Sequence, residues 1–214
     1  MNWLNRSWPL IGSLTAQHAL LSFAPVLLAM IISLVLGYLL HRTGRFANVL
    51  LAATGVVYAI PSIALFVTMP LILGTRILDP INIIVALTVY STVLLNRSVV
   101  DGFRSVPTEA VQAAHAMGFG TIRRVLTVEL PLALPVMLSG LRVVVVTNIA
   151  MVTVGAVIGM GALGQLFDLG FNSGYVVPII VGIACVMIMA LLADGLILLI
   201  KNLLLPWSKR VHAS

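Results

Sequence analysis

PTEAVQAAHAMGFGTIRRVLTVELP, residues 107–131, is the one long polar interval in a chain that otherwise reads as apolar helices. Its first half has the marks of a short helix. Pro107 suits a first turn, Glu109 stands where the helix dipole favours an acid, and alanines recur through Ala116. Gly118 and Gly120 then stop the helix. A second short helix is predicted over residues 121–130, carrying Arg123 and Arg124 outward and ending against Pro131, which lacks an amide proton. The expected product is two rigid pieces joined by a bend at Gly118.

Around this stretch the composition leaves one class of protein. Hydrophobic residues make up 61% and charged residues 8%, far from the ~25% charged content of soluble domains. Mean hydropathy is +1.16. A chain of 214 residues can hold five or six spans of ~20 residues, with no room for a further soluble domain of ordinary size. Its net charge of +6 would suggest nucleic acid in a soluble protein. Here the basic residues flank apolar runs, where retention of positive charge in the cytoplasm explains them, and nucleic-acid binding is set aside. The single cysteine, Cys185, excludes an internal disulfide and any multi-cysteine metal site.

The fold class expected is all-α and polytopic, with five transmembrane helices. Residues 1–18, with Trp3, Trp8 and Pro9, suit an interfacial segment. Residues 19–205 form the membrane domain and 206–214 a cytoplasmic tail. Within the domain the spans fall at about 19–40, 46–69, 81–100, 137–158 and 176–200. Pro61 should kink the second. The glycines from Gly155 to Gly174 suit an outer re-entrant turn between the last two. Arg42, Arg45, Arg97, Arg104, Arg123, Arg124, Lys201, Lys209 and Arg210 then fall on one side, and only Arg6 and Arg76 on the other. That asymmetry puts the N-terminus outside and the C-terminus inside.

The loop also carries a resemblance. Gln112-Ala113-Ala114, three residues, Gly118, nine residues and Val128-Glu129-Leu130-Pro131 resemble the EAA loop of permease subunits of ATP-binding-cassette (ABC) importers. Asn96-Arg97-Ser98-Val99-Val100 before the loop and Ile158-Gly159-Met160-Gly161-Ala162-Leu163-Gly164 after it look most like permeases for glycine betaine, choline and related osmoprotectants.

The resemblance implies residence in the bacterial inner membrane and a helix pair at 107–130 that docks on a cytoplasmic ATPase subunit. Glu109, Ala110, Gln112, Ala113, Ala114, His115, Met117, Gly118 and Arg123 are the docking candidates. The partners implied are that ATPase, a second permease subunit, an extracytoplasmic substrate-binding protein and membrane lipid. ATP and magnesium belong to the ATPase. One residue departs from the pattern: Gln112 stands where the family has a glutamate, and keeps hydrogen bonding without a charge.

No catalytic constellation is legible. The four histidines are scattered and the six acids dispersed, so neither a metal site nor intrinsic catalysis is expected. Gly159-Met160-Gly161-Ala162-Leu163-Gly164 satisfies GxGxxG, yet no strand precedes it and no lysine follows. A turn or close helix packing accounts for it better than a phosphate loop. His115 suits either a partner contact or simple solvation, with solvation favoured.

Charges inside spans cost on the order of 2.5–3.5 kcal/mol at mid-membrane, and only Arg142 and Asp194 qualify. Both lie some 8–9 Å in from the same side at ~1.5 Å per residue, and a structural ion pair is expected. Tyr58 and Pro61 are candidates for the translocation path, through an Ile-Pro-Ser segment similar to the family's. Asn148 suits either that path or a bond between helices. An importer of methionine or sulfonates is the nearest alternative. A secondary transporter or channel, from another class, would show midplane polar residues or an internal repeat, and neither is evident.

Overall fold

The computed structural model describes residues 2–205, and the expected tail at 206–214 lies outside them. Nine α-helices account for most of these residues, and no strand occurs among them. They are α1 (Asn2–Arg42), α2 (Ala47–Tyr58), α3 (Ser62–Leu73), α4 (Pro80–Arg104), α5 (Thr108–Ala116), α6 (Thr121–Arg124), α7 (Leu130–Val154), α8 (Gln165–Ser173) and α9 (Val176–Leu204). Four stretches are long and apolar enough to cross a bilayer: Trp3–Arg42, Pro80–Arg104, Thr121–Ile158 and Val176–Leu204. The pair α2 and α3, counted as one broken span, makes five. The protein is all-α and polytopic.

The longest helix begins earlier than its apolar run. No break occurs at residue 18, where composition changes. Ile11 and Leu14 are already buried against Leu163 and Leu166. Packing on the far side of the bundle thus extends α1 beyond the length that a ~30 Å hydrocarbon layer requires.

Pro61 does more than kink the second span. The axes of α2 and α3 meet at 89°. Proline lacks an amide and drives the preceding residue out of the helical region, so both helices end there. The Ile60 carbonyl released by the break accepts a hydrogen bond from the Tyr90 hydroxyl of α4. A single bend within one helix is therefore replaced by two helices pinned at their junction.

At Pro131 the expected stop does not occur. Residues Val125–Glu129 widen into a π-helical turn and the chain continues directly into α7, through both Pro131 and Pro135. Hydrogen bonds in such a turn reach one residue further, which makes room for the proline ring and for its missing donor. The fourth span consequently starts inside the polar stretch rather than after it.

Helix α4 is the centre of the bundle. Its Ile83, Leu87 and Tyr90 join Leu21, Phe66 and Val152 in one cluster, and its Leu95 joins Val26, Val145, Ile149 and Ala193 in the next. Against α7 the approach is close: a Cβ built at Gly140 would meet Ser98 Oγ at 2.0 Å. Only the absence of a side chain allows that contact. Helix α9 is peripheral, turning Ile180, Met187, Leu191 and Leu192 outward, as lipid contact requires. The glycine-rich segment between α7 and α9 begins with a compact turn, in which Gly159 at φ +82° ends the 3-10 turn Gly155–Ile158 that follows α7, and Gly161 packs on Ala156.

Candidate functional site

The polar stretch folds as α5, a tight corner, α6, the π turn and the start of α7. Helix α5 ends in a Schellman arrangement: Phe119 N–H donates to the Ala114 carbonyl (3.1 Å) and Gly118 N–H to the His115 carbonyl (3.0 Å). Gly118 holds φ +75°, a conformation that carries a steric cost for any residue with a Cβ. The corner is stiffened beyond it by Arg123, whose guanidinium carbon lies 4.2 Å from the centroid of the Phe119 ring.

Beneath the corner the segment is anchored. Val111, Val125 and Leu130 pack on a core of Val99, Phe103, Val106, Ala133 and Met137, which belongs to α4, α7 and the turn after α4. Arg124 Nε donates to Glu129 Oε1 at 2.6 Å, with both side chains under 10% exposed. Arg124 therefore points inward, contrary to the outward direction expected from sequence. The reason is the π turn, which brings residues five apart into register, a spacing that an α-helical reading never pairs.

Of the docking candidates, Glu109, Gln112, Ala113, His115, Met117, Gly118 and Arg123 are exposed and Ala110 partly so. Ala114 is buried and corrects the expectation, since its methyl group seats α5 on the bundle. Gln112 lines a cleft of about 530 Å³ shared with His41, Arg42, Arg104, Val111, Arg124 and Glu129. Three outward apolar side chains complete the face: Met117 (65% exposed), Ile122 (77%) and Leu126 (59%). Ile122 and Leu126 escaped sequence reasoning, although their four-residue spacing on a predicted helix was a signal.

Elsewhere the structure brings Arg142 and Asp194 together, Nε to Oδ1 at 2.6 Å and Nη2 to Oδ2 at 2.8 Å. Tyr58 and Pro61 flank the break between α2 and α3, with Tyr58 edge-on to Tyr90 at 5.5 Å between ring centroids. Asn148 is buried, accepting from Ser91 Oγ (3.1 Å) and donating to the Ser22 carbonyl (3.4 Å). It joins α1, α4 and α7 and offers no open surface to a path. Among the described residues no three His, Cys, Asp or Glu side chains gather as a metal site.

A bundle of apolar helices bearing one bent, outward-facing bracket is the architecture of a membrane transport permease. The chain belongs to the family of binding-protein-dependent transport system inner membrane components, whose model matches residues 9–204. It is 34% identical to the osmoprotectant import permease protein OsmW of Salmonella typhimurium over 199 residues, 92% of each chain. Identity to the glycine betaine/carnitine/choline transport system permease protein OpuCD of Bacillus subtilis is 31%, over 91% of this chain and 84% of that one. In fold it is similar to a chain of the inward-facing MetNI methionine ABC transporter, at TM-score 0.74, 24% identity and 94% and 98% coverage of the two chains. The protein is an inner-membrane ABC permease.

Proposed function

We propose that this chain is the permease subunit of an ATP-driven importer of osmoprotectants such as glycine betaine, choline or carnitine, coupled to its ATPase through residues 107–131. The observation that carries the coupling is the two-sided character of that segment. Its outer side presents Met117, Ile122, Leu126 and exposed polar residues, and its inner side is seated on α4 and α7 by an apolar core, with the Arg124–Glu129 pair bracing the segment internally.

A partner that pushes on such a bracket moves the two attached spans as one body, in the manner of a hinge transition. The remaining roles follow from the family. A second permease subunit completes the path, a binding protein delivers solute from outside, and ATP and magnesium stay on the ATPase. The permease itself does no chemistry. The basic flanks of the spans support an outside N-terminus and an inside C-terminus. The substrate class rests on the relatives named for osmoprotectants; the likeness to the methionine transporter supports the fold alone.

Copurification tests the docking face. Met117→Asp combined with Ile122→Asp should lose the ATPase subunit from detergent extracts while leaving membrane insertion intact. Full retention of the ATPase by that variant would remove the bracket from the coupling role. Uptake of labelled betaine, choline and carnitine by the reconstituted complex tests the substrate class.

A further inference from the structure

Arg97 is an exposed guanidinium on a membrane-crossing helix, and it has no ion-pair partner among the described residues. Such a group persists where it faces water, a counter-charge or a polar ligand. It heads a stripe. Asp101 follows one turn later and Arg104 another turn on, with a loose Asp101–Arg104 contact of 3.9 Å that leaves both side chains solvated. Across from the stripe α2 supplies Asn48, Ala52 and Gly55 at helical spacing, and the two surfaces enclose a polar cleft of about 420 Å³. The cleft lies at the same end of the bundle as the α5–α6 bracket, since α4 runs directly into α5.

We propose that this cleft is an exit-side binding site for a small zwitterion that carries a carboxylate. Arg97 pairs with the carboxylate through its two-pronged N–H fork, and Asp101 faces the cationic end. Two guanidiniums against one carboxylate give the cleft a net positive charge. That balance favours a solute bearing its own negative group and disfavours a pure cation. The assignment rests on the osmoprotectant reading, within which it separates glycine betaine and carnitine from choline.

The test compares two solutes in one preparation. The permease, its ATPase and saturating binding protein are reconstituted in proteoliposomes, and uptake of labelled glycine betaine and of choline is measured for wild type, Arg97→Gln and Arg97→Lys. Arg97→Gln should lower betaine uptake tenfold or more and choline uptake less than twofold, and Arg97→Lys, which keeps the charge and loses the fork, should lower betaine uptake two- to threefold and leave choline uptake unchanged. Equal loss of both solutes, or no loss of either, overturns the site and leaves the importer reading standing. Should Arg97→Gln fail to assemble, an unchanged betaine-to-choline ratio in Arg97→Lys overturns it as well. A wild type that moves neither solute overturns site and substrate class together.

Discussion

Arg142 of α7 and Asp194 of α9 face each other through two parallel hydrogen bonds, 2.6 and 2.8 Å long, with each side chain about a third exposed. This forked geometry is the strong form of an ion pair. It also ties the peripheral α9 to α7, beside the apolar contacts that Ala193 and Ile197 make in the core.

Removing one partner leaves a lone charge within a span. Arg142→Ala or Asp194→Ala should lower the Tm of the detergent-solubilised protein by several degrees. The exchange Arg142→Asp with Asp194→Arg should recover part of that loss. A double variant no more stable than the worse single one argues against the pair as the tie.

The Arg124–Glu129 pair is more deeply buried, and its loss should be dearer. Glu129→Ala strands a guanidinium and is expected to destabilise the bracket, with reduced ATPase copurification as the readout. Arg124→Met with Glu129→Leu, apolar at both positions, should restore binding substantially. If Glu129→Ala keeps the ATPase bound at wild-type level, the pair does not hold the bracket.

At Gly118 the space around the missing side chain is open, and the constraint is the backbone angle alone. Gly118→Val should cost about 1–2 kcal/mol through the left-handed conformation, and Gly118→Asn, which tolerates it better, distinctly less. Transport should follow that order, with insertion unchanged. Wild-type uptake by Gly118→Val would remove the joint from the mechanism.

Much was legible before any fold was known. The apolar runs, the polar interval at 107–131, the corner at Gly118 and the Arg142–Asp194 pair all follow from rules that act over one helix or across one bilayer thickness. Hydropathy needs only ~20 residues in a row, and a charge inside a span demands a partner at its own depth. The EAA-like spacing added a family resemblance that local physics does not contain.

Other features depend on contacts between residues far apart in sequence, or on backbone forms that ordinary periodicity does not encode. The right angle at Pro61 is stabilised by Tyr90, thirty positions away. Asn148 could face a path or a neighbour until Ser91 and Ser22 closed around it. Arg124 looked solvent-directed on an α-helical wheel, and a π turn rotated it onto Glu129. Hydrophobicity and charge thus set the class and topology of the chain residue by residue, whereas side-chain partners in a dry interior were chosen by whichever polar groups the packed helices brought within reach.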